Sequence, residues 1–92
     1  MTGDRVLTPE EADNFQAEAQ AADELLIWTV YLHPIDYPGQ CIARPHGSKI
    51  DVPFKVVLRA DTIEQLRASI PRGLICLGRD PDDDPKIVES WI

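Results

Sequence analysis

The sequence predicts an α+β fold: a small, mainly antiparallel sheet of four to five strands with one helix packed on it and another helix ahead of it, in the order α-β-β-β-α-β-β. Three observations predict it. Two capping-box signatures stand in front of stretches with helical spacing. Runs of branched and aromatic residues are separated by loops rich in proline and glycine. The helical and extended segments are also grouped rather than strictly alternating, which favours a sheet with helices on one side over a doubly wound βαβ arrangement. At 92 residues the chain makes one domain.

The first helix begins at Thr8-Pro9-Glu10-Glu11. Thr8 is the N-cap, Pro9 occupies the first helical position and Glu11 the third, with Leu7 placed to staple onto Ala12. Acids in this first turn suit the positive end of the helix dipole. The inward stripe is Ala12, Phe15, Ala19, Ala22 and Leu26, with one large side chain before Leu26. Such a face buries little area, so residues 1–24 are expected to form a weakly docked, acidic helical extension ahead of an α+β domain at 25–92.

Leu25 to Leu32 then reads as a strand with apolar groups on both faces, hence a central one: Trp28, Val30 and Leu32 on one side, Ile27, Thr29 and Tyr31 on the other. His33 to Gln40 contains two prolines and a glycine and is a loop. Cys41 to Arg44 returns antiparallel, and Pro45 limits further pairing as it would at an edge. After a turn at His46-Gly47-Ser48-Lys49 a third strand runs through Phe54-Lys55-Val56-Val57-Leu58. Asp61 caps the second helix, with Glu64 completing its capping box and Ile63, Leu66 and Ile70 facing inward; Pro71 stops it. Leu74 to Leu77 is expected as a short buried strand, Arg79 to Pro85 as a polar loop and Ile87 to Ile92 as the last strand. Trp28 and Trp91 are expected to fill the core from adjacent strands.

Sixteen acids against nine basic residues give a formal charge of −7. The charge is uneven: −6 over residues 1–24, +2 over 25–60, +1 over 61–79 and −4 over 80–92. Acidic ends thus flank a mildly basic middle. This balance argues against direct non-specific nucleic-acid binding and against an anionic-membrane anchor. No secretory leader is visible, and the longest apolar run, Leu25 to Leu32, is far short of the ~20 residues that span a bilayer. Cys41 and Cys76 both lie in apolar runs. One disulfide is arithmetically possible, but buried thiols of a cytoplasmic protein are the expectation.

Several segments resemble a family of short uncharacterised proteins of bacteria and their phages. They are Trp28-Thr29-Val30-Tyr31 with Pro34, Asp36-Tyr37-Pro38 and Ala43-Arg44; Ala60-Asp61-Thr62 through Leu66-Arg67 to Ile70-Pro71 and Gly73-Leu74; and Pro81-Asp82-Asp83-Asp84-Pro85 with Ile87-Val88-Glu89 and Trp91. The resemblance covers about residues 28–91. It implies a small cytoplasmic bacterial or prophage-borne protein and brings no catalytic residue with it.

Candidate chemistry is sparse. Asp80, Asp82 and Asp84 fall at positions 1, 3 and 5 of a calcium-loop register, but Pro85 stands where that loop needs glycine and Trp91 where it needs a bidentate glutamate. A solvated turn accounts for them. Cys41, Cys76, His33 and His46 lack metal-ligand spacing. The five glycines are scattered singly, so no phosphate-cradling loop is present. No cofactor or metal is therefore expected.

Tyr37, between Asp36 and Pro38, is a contact candidate, or else folds back to cover the sheet. Arg44, His46, Lys49, Lys55 and Arg59 form a small basic patch if alternation puts them on one face. The candidate interaction residues are thus Tyr37, Asp36, His33, Arg44 and His46, with Asp82, Asp83 and Asp84. The leading expectation is a non-catalytic protein–protein interaction module whose acidic segments face a partner with a basic surface. A phage-encoded inhibitor of a host defence or regulatory complex is its specific form. The alternatives are a small-molecule or enzymatic site between loops 33–40 and 79–85, and a homodimer through the alanine face of the first helix or an exposed strand edge.

Overall fold

A computed structural model describes residues 4–48, 54–79 and 85–92. The elements run β1 (Arg5–Val6), α1 (Pro9–Ala21), β2 (Leu26–Leu32), β3 (Cys41–Gly47), β4 (Val56–Ala60), α2 (Ile63–Ser69) and β5 (Ile87–Trp91). They form a five-stranded sheet in the order β1-β4-β3-β2-β5. Every pairing is antiparallel except that of β1 with β4. The α+β architecture and the mainly antiparallel sheet therefore match the sequence expectation. The strand that precedes the first helix was not legible, because two residues carry no period.

The predicted cap of α1 forms in full. The Thr8 hydroxyl accepts from the Glu11 backbone N–H at 3.1 Å, and the Glu11 carboxylate accepts from the Thr8 N–H at 3.1 Å. Leu7 and Ala12 are both buried in the core, where the staple predicts them. At the other end, the Glu24 N–H donates to the Ala19 carbonyl and the Asp23 N–H to that of Gln20. This is a Schellman closure with Asp23, at φ 56, in the left-handed position that glycine occupies at least cost. Ala22 lies at the C-cap and is exposed, so it leaves the inward stripe.

α1 docks through a residue that the apolar stripe omitted. Gln16 is buried one turn from Ala12, and its side-chain oxygen accepts the Trp28 indole N–H at 2.8 Å. Phe15 meets Trp28 and Phe54 edge-on, with ring centroids 6.2 and 5.1 Å apart. Directed geometry of this kind compensates for the small alanine face.

β2 is an interior strand, with Leu26, Trp28 and Val30 turned into the core. Leu32, expected on the same side, is exposed at the strand's end. Trp28 lies opposite both Pro45 and Trp91, and is itself fully buried. β3 runs on through Pro45 rather than stopping before it. The tolerance has a register cause. Ser48 donates its N–H to Leu25 and His33 to Gln40, so the intervening Trp28–Pro45 pair is of the non-hydrogen-bonded kind. The nitrogen of Pro45 therefore points away from β2, towards the β4 side, and pairing with β4 ends at Ala43. Proline limits one flank of the strand only.

β4 starts at Val56, and Phe54 packs against the core from ahead of it. The α2 N-cap is Thr62, not Asp61: its hydroxyl accepts from the Gln65 N–H at 3.2 Å. Leu66 and Ile70 are buried as predicted. Ile70 sits at ψ 139, the extended conformation that a following proline imposes. The expected buried strand at 74–77 is corrected to an exposed segment. Ile75 exchanges backbone hydrogen bonds with Ile92, and Leu77 donates to Ser90, yet only Cys76 and Trp91 form a bridge. Cys76 is consequently an exposed free thiol, whereas Cys41 is buried and free.

β5 carries a one-residue bulge, Val30 facing Glu89 and Tyr31 facing Ile87. Its buried Glu89 accepts from Arg67 of α2 at 3.1 and 2.6 Å and from the Trp91 indole N–H at 2.6 Å.

Replacing Gln16 by Leu leaves the Trp28 indole N–H buried without an acceptor. We expect a loss of about 1–3 kcal/mol, read as a lower urea midpoint at unchanged m value. The loss should shrink when Trp28→Phe is combined with it. Thr62→Ala should cost about 1 kcal/mol and Asp61→Ala distinctly less, measured the same way.

Candidate functional site

Strand alternation divides the sheet cleanly. Leu26, Trp28, Val30, Cys41, Ala43 and Leu58 face the helices. Thr29, Tyr31, Ile42, Arg44, His46, Val57 and Arg59 therefore face the other way. Among the described residues no helix lies over that second face; the 33–40 connection bends across it instead. Left-handed backbone at His33 (φ 48) and Gly39 (φ 82) turns the chain at each end. Between them Tyr37 donates its N–H to Pro34 at 3.0 Å, and Pro34 is buried.

The centre of this face is an ion-paired cluster. Arg44 grips Asp4 with two parallel bonds of 2.9 and 3.0 Å, and reaches Asp36 at 3.4 Å. The Tyr37 hydroxyl donates to the same Asp4 carboxylate at 3.1 Å. The Asp4 side chain is only 5% exposed and that of Arg44 18%. The hydrogen bonds from Arg44 and its charge hold the Asp4 carboxyl below its ordinary range against the opposing effect of burial, with help from Tyr37 and Lys55. Arg44 is raised in turn, chiefly by its bonds to Asp4. A bidentate guanidinium–carboxylate pair is the strongest arrangement available to these groups.

Three of the sequence candidates, Tyr37, Asp36 and Arg44, thus converge on one cluster. Tyr37 folds back onto the sheet and stays half-buried there. Asp4 is the partner that sequence reasoning missed, and no local signal marks it, since it lies forty positions from Arg44. His46 stands on the same face, half-buried, with its pKa lowered by burial and then by Arg44. His33 is exposed at the loop's start, and its carbonyl accepts from Lys86 at 3.2 Å.

The basic patch is corrected in character. Arg44, His46 and Arg59 do share a face, and Lys55 acts on Asp4 there, but Arg44 is paired with Asp4 and Asp36, and burial disfavours a charge on His46. Lys49, together with Asp80, Asp82, Asp83 and Asp84, lies outside the described residues.

The two loops of the small-molecule alternative approach one another at their described ends. Leu32 donates its N–H to Lys86 at 2.8 Å. Beside them a depression of about 220 Å³ is lined by Tyr31, Pro34, Asp36, Ile42 and Arg44. Another, of about 280 Å³, lies between Arg5, Leu7, Phe15 and Val56. Both fall below the roughly 300–1,000 Å³ of typical ligand pockets. The polar groups of the first are already bonded to each other.

Burial raises the pKa of the Cys41 thiol, and the charges of Glu64 and Asp61 reinforce it, so it stays protonated. Among the described residues no three His, Cys, Asp or Glu side chains converge on a metal position. No described helix is long and apolar enough to cross a membrane.

The Asp4 carboxyl titrates lower in the folded chain than in the unfolded one. Its stabilisation is therefore complete above the ordinary pKa of 3.8 and is lost as pH falls through the depressed value. Glu89, lowered first of all by its bonds from Arg67, acts with the same sign below 4.5. Asp4→Asn should cost about 1–3 kcal/mol at neutral pH. It should also flatten the acid limb of a stability–pH profile, recorded by urea unfolding from pH 7 to pH 2.

Comparison of the chain with models of known protein families, with curated proteins and with solved structures returns no match.

Proposed function

We propose that this protein is a non-catalytic interaction module that binds another protein through the outward face of α1. The observation that carries the reading is the charge of that helix. Glu10, Asp13 and Glu18 are exposed along it, Asp23 is exposed just beyond it, and its last turn has no basic residue. Acids in the first turn favour a helix, but Glu18 and Asp23 stand at the negative end of the dipole, where they oppose it. Asp23 also holds a left-handed position that glycine fills more cheaply. Helix stability therefore does not account for these acids. A basic partner surface does, by steering encounter and fixing orientation.

The resemblance to short bacterial and phage proteins adds a class of partner, a host defence or regulatory complex. The small-molecule alternative keeps one favourable observation, the contact of Lys86, just past one loop, with His33 at the start of the other.

A bacterial lysate passed over the immobilised full chain at low salt tests the proposal. A basic protein should be retained and released by raised salt, and the Glu10→Lys, Asp13→Lys, Glu18→Lys variant should lose it. Asp23→Gly should raise thermal stability while weakening capture, a split that a merely structural acid would not produce. Retention unaffected by reversing these charges would refute the reading.

A further inference from the structure

Segment 74–77 closes the described sheet on the β5 side, and its outer edge is bare. Ile75 and Leu77 spend their backbone hydrogen bonds inward, on Ile92 and Ser90. The backbone N–H and C=O of Cys76, between them, point outward and meet no partner among the described residues. The side chains are apolar as well as exposed: Ile75 is 68% and Leu77 60% accessible, and the Cys76 thiol is open. Protein edges are normally protected by charge, proline or a bulge within the strand. Here Pro71, Arg72 and Arg79 lie outside it, and Leu74-Ile75-Cys76-Leu77 carries no such residue.

We infer that this edge pairs with the same edge of a second copy of the chain, across a two-fold axis at Cys76. The register makes the segment complementary to itself. With Cys76 opposite Cys76 of the partner subunit, both outward N–H groups meet outward carbonyls, the hydrogen-bonded pair of an antiparallel ladder. Ile75 then faces Leu77 of the partner subunit on both sides of the axis, so all four exposed apolar side chains find a cross-strand partner. Such an isologous contact closes on itself and joins the two sheets into one. An unrelated extended peptide would satisfy the backbone but has no reason to match the Ile–Leu spacing. The contact is short compared with a standard interface of about 1,600 Å², so the dimer is reversible and concentration-dependent. It leaves the outward face of α1 free and does not rest on the binding function proposed above.

Sedimentation of the full chain from about 1 μM to about 1 mM, a range that covers small interfaces, should show a shift from 10.3 kDa towards twice that mass. Hydrogen-bonded antiparallel pairs hold their Cα atoms about 5.5 Å apart, within disulfide reach. Copper–phenanthroline should therefore trap a covalent dimer in the wild type and none in Cys76→Ser. Ile75→Lys with Leu77→Lys sets like charges against each other across the axis and should leave a folded monomer, its fold checked by circular dichroism. A single 10.3 kDa species at every concentration would overturn the inference. So would a dimer that persists in the double-lysine variant, or cross-linking without any concentration-dependent mass.

Discussion

The indole N–H of Trp28 is a hydrogen-bond donor in a place that solvent does not reach, and the packing of the two layers follows from satisfying it. Its ring is too large for anything but the centre of the sheet, where it lies against Pro45 on one side and Trp91 on the other. The donor then needs an acceptor from the helix layer, and Gln16 supplies it. That bond fixes the rotation of α1, sets Phe15 edge-on to the indole and lets Ala12 sit close beneath. The other tryptophan repeats the device. The Trp91 N–H is taken by Glu89, whose carboxylate also receives Arg67 of α2. α1 is thus tied to the sheet by a bond to a tryptophan, and α2 by a bond to the carboxylate that also takes the other tryptophan's N–H. Apolar area alone would hold the helices without fixing their angle, whereas buried polar groups accept few geometries.

What the sequence made legible was the part that depends on neighbours in the chain. The α1 cap, the interior position of β2, the stop at Pro71 and the antiparallel return at Cys41 all rest on short-range rules. The errors fall where distant contacts decide. Leu74 to Leu77 reads as buried because it is apolar, but only Leu74 packs against the core, and Ile75, Cys76 and Leu77 lie exposed along the sheet's last strand. Pro45 reads as an edge marker because the parity of its pairing is invisible before the register is known. Gln16 did leave a trace, a lone amide within the Ala12–Phe15–Ala19 stripe, and a polar residue on an otherwise apolar face is a sign of a buried donor elsewhere. Asp4 left none. The candidate residues Tyr37, Asp36 and Arg44 were found for their chemistry, and their convergence became apparent only through the carboxylate that joins them.

Charge is distributed by layer as well as by segment. On the open side of the sheet the buried ions cancel locally, Arg44 against Asp4 and Asp36. On the helix side Arg67 answers Glu89 and Arg5 answers Glu11, but among the described residues Glu10, Asp13 and Glu18 have no ion-pair counterpart. Among the described residues, exposed acids are therefore lined up on the outer face of one docked helix. A uniform surface of the same net charge would repel or attract from every direction. This one has a polarity, and association with it carries an orientation.

The parallel pairing of β1 with β4 has a consequence in time. Arg5 lies opposite Val56, so the first strand of the chain finds its place only after most of the sequence exists. The acceptor that anchors α1 precedes its tryptophan donor, and Asp4 precedes Arg44. During synthesis the leading segment emerges with every one of its long-range partners still to come. Closing so long a loop costs little extra free energy, because the entropic penalty grows only logarithmically. It does slow the search, as non-local topologies do. β1 therefore cannot join the sheet until β4 has been made, and the sheet closes on that side only across some fifty intervening residues.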